Sequence, residues 1–256
     1  MTTENLQVDR ETVLEAKKHW LQARKEQTPL PAISALASMQ NRPRPILNTI
    51  PADGRAQIIG QIRRHETYDP VAQALQYIRG RVDAISLYTD HSLYNDDFDD
   101  MQMVAAAVKD LPIIYQNYVL DDYQVIEARA ADASAIMLYT SVLNERTLWN
   151  VASVTQRWKM SVIVQVDNMA ALESINRLSP HAIAIGDNDI DIHRGLDLLE
   201  QLRPQVGFNI RVMFLPTIET LEAAHAAIEL GADAIIISPH LLENNKRKQL
   251  DEIVRR

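Results

Sequence analysis

Several short stretches of the chain place acids, bases and aromatic rings at spacings that could support chemistry. Tyr88-Thr-Asp90-His91 brings a carboxylate and an imidazole close together, enough for proton transfer if either faces a pocket. The competing reading is a solvated loop. Gln165 and Asp167 stand two apart in a β-branched run and so share a face, which makes Asp167 a candidate acid or base. Alternatively Asp167 caps the helix that the pattern begins at Met169. Asp187-Asn-Asp-Ile-Asp191 offers three acids, but without a histidine at ligand spacing turn chemistry accounts for them better than a metal does, and no metal is expected. Tyr88, Tyr115, Tyr118 and Tyr139 lie near the ends of apolar runs, where a ring carrying a hydroxyl suits stacking on an indole or phenol. The absence of cysteine removes thiolate nucleophiles, thiolate metal sites and disulfides, and is compatible with a reducing compartment.

The scaffold that must position these groups is bounded by length and composition. A chain of 256 residues with 46% apolar content fits one α/β barrel with one large core. Net charge is −8, and the 26 Lys and Arg are scattered apart from Lys246-Arg247-Lys248 and Arg255-Arg256, so nucleic acid is not an expected partner. The polar start, with no apolar segment of signal-peptide or membrane-span length, reads as a soluble, cytoplasmic protein with no membrane partner. Seven glycines are few against an average near 7%, leaving few places where backbone N–H groups could approach a phosphate.

Residues 10–25 read as an amphipathic helix with Val13, Leu14, Trp20 and Leu21 apolar. Pro29, Pro31, Pro43, Pro45 and Pro51 follow at a density that breaks regular elements and suggests a helical cap over one barrel end. Beyond Gln57, strands are expected at 58–63, 84–88, 113–118, 135–139, 161–166, 182–185, 211–215 and 234–238. Helical periods lie between them, as at 71–78, 100–108, 122–130 and 220–230, and the strands are apolar on both faces. Val82-Asp-Ala-Ile-Ser, Ala133-Ser-Ala-Ile-Met and Gly231-Ala-Asp-Ala-Ile-Ile form a weak internal repeat. No Gly-x-Gly-x-x-Gly follows the first strand, which disfavours a doubly wound sheet. The expected fold is a single (β/α)8 TIM barrel at 57–256 behind an N-terminal helical cap at 1–56, with its active site at the C-terminal strand ends. His181 falls before the sixth strand and His225 within a helix, so both are set aside.

Leu111-Pro-Ile-Ile-Tyr-Gln-Asn-Tyr, followed by Asp121-x-Tyr-Gln-Val-x-Glu-Ala-Arg-Ala130, resembles the indole-3-glycerol-phosphate synthase family in order and spacing. Asp69-Pro70 and Val82 to Asp90 look like that family's second βα unit, and the similarity covers almost the whole chain. The resemblance implies the barrel, but the positions that match the family's polar residues differ. A Glu-x-Lys pair becomes Gln61 and Arg63, the third-strand lysine becomes Gln116, and the fifth-strand glutamate becomes Gln165. Gly186 replaces an asparagine, Asn188 an arginine, and Leu215 with Pro216 a glutamate-serine pair. The Ser-Pro-Ser phosphate loop is replaced by Arg64-His-Glu-Thr-Tyr, which puts Glu66 where phosphate would sit, and the glycines after strands seven and eight become Thr217 and Ser238.

Amides in place of charges keep size and hydrogen-bonding capacity, which implies a retuned pocket rather than decay. The resemblance points Arg63 inward, where a guanidinium could grip a carboxylate bidentately, with an ion pair to a neighbouring acid as the plainer reading. It also turns Tyr118 to the pocket and Tyr115 to the helices. Gln116, Gln165 and Asn188 would bind ketone oxygens, with Gln61 as a further substrate-binding residue and Tyr88, Tyr118 and Tyr139 as aromatic walls, and Asp90, His91 or Asp167 would move protons. Loss of phosphate ligands is similar to the divergent cyclases of cyanobacterial scytonemin biosynthesis. That implies closing an indole-containing β-keto acid to a tricyclic ketone with loss of carbon dioxide and water, demanding no cofactor. The alternatives are a non-catalytic barrel that binds an indole metabolite or a partner enzyme, and another lyase or isomerase acting on an unphosphorylated substrate. Oligomeric state is left open, a homodimer included.

Overall fold

The structure, a computed structural model, describes residues 10–47, 54–63, 69–88 and 97–255. Eight parallel strands close in chain order into a barrel: β1 Gln57–Arg63, β2 Ala84–Tyr88, β3 Ile113–Gln116, β4 Ala135–Tyr139, β5 Ser161–Val166, β6 Ala182–Ile185, β7 Arg211–Ile218 and β8 Ala234–Ile237. Helices α1 Arg10–Gln27 and α2 Leu30–Met39 precede the barrel. Each strand is then followed by one helix: α3 Pro70–Arg79, α4 Asp97–Val108, α5 Asp122–Ala130, α6 Glu145–Arg157, α7 Met169–Ser174, α8 Ile192–Leu202, α9 Leu221–Glu229 and α10 Asn244–Ile253. No described helix is long and apolar enough to cross a membrane.

The strands are apolar on both faces because both are covered. Ile58, Ile62, Ile136 and Ile235 pack outward into the helix layer, while Ile59, Ile114, Ile163, Met213 and Ile236 fill the barrel. The recurring acid before a strand also has a physical reason. At the N-terminal face Asp83 accepts from Ile58 N at 2.7 Å, and Asp233 accepts from Val212 N at 2.9 Å. His181 Nδ1 accepts from Val162 N at 3.0 Å, so all three side chains satisfy N–H groups at the starts of strands. This places His181 at the stability face, and burial lowers its pKa below the ordinary imidazole value.

Most element ends fall within a residue or two of the sequence expectations, and the departures have physical reasons. Pro29 separates α1 from α2 as the N-cap residue of α2, and Pro31 lies in its first turn, where a missing N–H costs nothing. β3 stops at Gln116, leaving Tyr118 in the following loop. β7 runs on to Ile218 through an irregularity between Phe214 and Thr217, where Pro216 cannot donate to the ladder.

The stretch that carries the family resemblance most strongly proves to be a docking surface for the N-terminal segment. Asp121 caps α5 by accepting from Tyr123 N at 2.7 Å and also receives Lys25 Nζ at 2.7 Å. Tyr123 donates its hydroxyl to Thr28 O at 2.8 Å, Glu127 pairs with Arg24, and Gln124 bridges Leu120 N and Tyr118 O. Arg129, 2% exposed, donates to Asp132, to Ala133 O at 3.0 Å and to Asn41 O. Beyond α2, the carbonyl of Ile46 accepts from Ser161 Oγ at the start of β5, so the chain closes the N-terminal end of the barrel before entering β1.

On the other side, α3 rests directly on β1. A Cβ at Gly60 would lie 2.4 Å from the Tyr77 ring, so glycine is what admits the ring. Tyr77 OH donates to Gln61 O at 2.8 Å, and burial pushes its pKa up to about 12. Two outcomes are expected. Arg129→Ala strands two carbonyls and leaves the Asp132 carboxylate to Arg44 alone, and should cost about 3 kcal/mol in urea unfolding; a change below about 0.5 kcal/mol would mean the segment is not held there. Because the Tyr77 phenol ionises later when folded than unfolded, its contribution is complete below pH 10 and is lost as pH rises toward about 12. Unfolding curves across that window should fall more steeply for the wild type than for Tyr77→Phe, and parallel curves would contradict this.

Candidate active site

At the C-terminal ends of the strands the barrel interior changes from aliphatic to polar. Alternation along β1 brings Gln61 inward above Ile59, and register places it beside Ser86, with Tyr88 opposite Gln116 and Tyr139 opposite Gln165. Gln61 Nε2 donates to Gln116 Oε1 at 3.0 Å and to Asn188 Oδ1 at 2.6 Å, and its Oε1 accepts from Thr217 Oγ1 at 3.4 Å. Ser86 Oγ adds a second donor to Gln116 Oε1 at 2.6 Å, and Gln116 Nε2 donates to the Tyr139 hydroxyl at 3.0 Å. Tyr118 packs edge-on to Tyr139 with centroids 5.3 Å apart and planes at 84°. One uncharged hydrogen-bonded layer thus spans the barrel mouth.

Two atoms of this layer, on Gln165 and Asn188, have no partner among the described residues. Gln165 Nε2 donates to Gly186 O at 2.7 Å; a carbonyl only accepts, so the orientation of this amide is fixed, and its Oε1 is left buried and unbonded. Gly186 has φ +101°, a left-handed turn, and Pro216 lies against it. The chain then delivers Asn188, whose Nδ2 is likewise buried without a partner. With Gln165 at 1% and Asn188 at 6% exposure, the open acceptor and the open donor each invite a ligand atom or a water.

Beside the layer lies a cavity of about 390 Å³ lined by Arg63, Asn188, Asp189, Thr217 and Glu219 among others. Arg63 stacks over the Tyr88 ring at 4.6 Å and donates to Asp189 Oδ1 at 2.7 Å. The ion-pair reading of Arg63 is therefore what the structure shows, and a carboxylate entering the cavity would meet a guanidinium that already has an anion.

Of the residues singled out from sequence, the structure brings together Gln61, Gln116, Tyr118, Tyr139, Gln165 and Asn188, with Tyr88 and Arg63 at the rim. Asp90 and His91 lie outside the described residues. Asp167 neither joins the layer nor caps α7: its carboxylate accepts from Asn168 Nδ2 at 2.6 Å, and Asn168 is the cap, accepting from Ala171 N at 2.9 Å. Tyr115 faces the helices, its hydroxyl accepting from Asn117 Nδ2 at 2.9 Å, and lines a crevice with Lys17, Trp20 and Arg24. Sequence reasoning passed over Ser86 and the hydrogen-bonding role of Thr217. Ser86 was detectable, being two residues before Tyr88 on an inward face, whereas nothing local marks Thr217. Among the described residues no group of three or more His, Cys, Asp and Glu could hold a metal ion.

The family model for indole-3-glycerol phosphate synthase matches residues 10–253. The indole-3-glycerol phosphate synthase of Roseiflexus sp. (strain RS-1) is 27% identical over 254 residues, covering 94% of this chain and 91% of the relative. That of Leifsonia xyli subsp. xyli is 31% identical over 150 residues, 56% of this chain and 57% of the relative. Among solved structures, tryptophan synthase subunit alpha from Legionella pneumophila superposes with a TM-score of 0.60 at 16% identity, covering 80% of this chain and 97% of that one. Thiamine phosphate pyrophosphorylase from Pyrococcus furiosus gives 0.58 at 16% identity over 79% of this chain and 96% of that one. At such identities these two speak to the fold alone. With a match that runs from α1 to the last residue of α10, the chain belongs to the indole-3-glycerol phosphate synthase family.

Proposed function

We propose that this member of the family is a cyclase for an unphosphorylated, indole-containing β-keto acid, closing it to a tricyclic cyclopentaindole ketone with loss of carbon dioxide and water, as in cyanobacterial scytonemin biosynthesis. The observation that carries this reading is the uncharged amide layer. Where the family resemblance expects lysine and glutamate, Gln61, Gln116 and Gln165 are bonded to one another or to neutral neighbours, with an open acceptor on Gln165 and an open donor on Asn188. Such a surface suits a ligand that offers an N–H and a carbonyl oxygen, as an indole ketone does.

The surroundings disfavour a phosphate. At the end of β8 the N–H of Ser238 is spent on Ile218 O at 2.9 Å, Pro239 has none, and Leu241 N bonds Ser238 O at 3.1 Å. His240 bridges Ser238 Oγ and Glu219 O, closing that corner further. Arg63 is the one cation among the described residues that line the cavity, with Asp189 and Glu219 facing it. A dianion would find little to offset its desolvation there, whereas a monocarboxylate needs only to share Arg63. Decarboxylation of a β-keto acid is intrinsically easy, so orienting the indole carbon against the ketone and supplying a proton is most of the task.

The test is parallel incubation of the purified protein with the keto acid and with the synthase's phosphorylated substrate, following carbon dioxide and new absorbance. Only the keto acid should react, and Arg63→Ala should lower kcat/KM about 10- to 100-fold, chiefly through KM. An Arg63→Ala protein that cyclised at the native rate would sink the carboxylate role. Turnover of the phosphorylated compound would sink the reading as a whole, and binding without turnover would favour a non-catalytic indole-binding barrel.

A further inference from the structure

Residues on the wall of the cavity match the polar points of a β-keto acid one by one. Arg63 takes the carboxylate in the reading above. Asn188 presents Nδ2, because its Oδ1 is held by Gln61 Nε2 at 2.6 Å, and that open donor fits the ketone oxygen. The remaining group is Glu219. Of the two carboxylates that line the cavity among the described residues, Asp189 is engaged by Arg63 at 2.7 Å, whereas no described residue bonds or pairs with that of Glu219. The backbone that carries it is fixed on both sides. β7 runs past Pro216 to Ile218, whose carbonyl accepts from Ser238 N at 2.9 Å. Glu219 O accepts from His240 Nε2 at 2.6 Å, and Thr220 caps α9 by accepting from Ala223 N at 3.2 Å. A carboxylate thus stands at the C-terminal end of β7, on the cavity, with no capping or pairing role to engage it.

We infer that Glu219 is the proton-transfer residue of this barrel, first base and then acid in ring closure; this rests on the cyclase reading above. As the indole ring carbon bonds the ketone carbon, the C=O π pair moves to oxygen, where the Asn188 N–H stabilises the charge. The ring carbon sheds its proton to a Glu219 carboxylate oxygen, and the C–H electron pair restores the aromatic ring. A C–H on an indole that has lost aromaticity is strongly acidic, so a carboxylate is base enough and position is what matters. The carboxylic acid so formed hands the same proton to the former ketone oxygen. The product of this step is an alcohol isomeric with the reactant, and Glu219 is again a carboxylate. Loss of carbon dioxide and of water are separate steps, and no oxidant or reductant enters.

The experiment measures steady-state cyclisation of the keto acid by the wild type, by Glu219→Gln and by Glu219→Ala, the last with and without added formate, with circular dichroism to check that each is folded. Glu219→Gln keeps size and hydrogen-bonding capacity and should lower kcat by about 100-fold, with KM changed less than about threefold. Formate should raise the rate of Glu219→Ala by about tenfold or more and leave the wild type unchanged, a response that a side chain acting only through structure would not give. Glu219→Gln turning over within about threefold of the wild type, or a Glu219→Ala protein that formate leaves unchanged, overturns the assignment. If one variant fails to fold, the other decides alone. A wild type that leaves the keto acid unreacted overturns the cyclase reading, whereas an active wild type with an equally active Glu219→Gln overturns only the proton-transfer role, so the two failures are distinct.

Discussion

The side chain of Gln61 ties the barrel mouth together, and its hydrogen-bond polarity constrains the residues around it. Its two amide protons face two carbonyl oxygens, those of Gln116 and Asn188, and its own oxygen faces the Thr217 hydroxyl. A carboxylate at this position would set acceptor against acceptor twice over in a nearly dry site, at a cost of several kcal/mol before any rearrangement. Glutamine at 61 therefore fits amides at 116 and 188, and the replacement of charges at these positions reads as one coupled change. Tyr77 extends the constraint outward by holding the Gln61 carbonyl, and Gly60 exists so that the Tyr77 ring can reach it.

A site built this way selects by the pairing of donors and acceptors more than by field. The open Gln165 oxygen and Asn188 amide protons carry a desolvation cost that a ligand with matching groups would relieve. The guanidinium of Arg63, stacked on Tyr88 and paired with Asp189, supplies the mouth with a cation whose charge is already largely matched. In the cyclase reading this favours a large aromatic ligand carrying one carboxylate over a small one carrying a phosphate. The family's barrel would then have kept its architecture and changed what it admits.

Most of the fold was legible in the sequence because burial on both faces leaves a simple signature. Runs such as Ala135 to Tyr139 and Ser161 to Val166 are almost wholly apolar, Gln165 being the polar exception near a strand end, and the structure bounds them where the pattern does. The site was legible only in part. Alternation from the resemblance finds Gln61, Gln116, Tyr118 and Gln165, but the bond from Gln61 to Asn188 joins residues 127 positions apart, and no spacing rule reports which polar groups meet across a barrel. The same limit hid the role of the Asp121 to Ala130 motif. Its Asp, Tyr, Glu and Arg look like chemistry, yet their partners include Lys25, Thr28, Arg24 and Asn41, in a segment whose path only the folded chain reveals. The prolines mark the element ends as their density suggests, with Pro29 between α1 and α2 and Pro43 and Pro45 in irregular chain after α2, while Pro31 sits in a first turn where it costs nothing.

In the cyclase reading, the neutral layer admits an unphosphorylated aromatic ligand in place of a phosphorylated one. Calorimetric titration of the purified protein with an indole 2-oxo carboxylate and, separately, with indole-3-glycerol phosphate measures that preference without requiring turnover. The carboxylate should bind at least about 100-fold more tightly, a difference of roughly 2.7 kcal/mol. Equal affinity, or tighter binding of the glycerol phosphate, would contradict it.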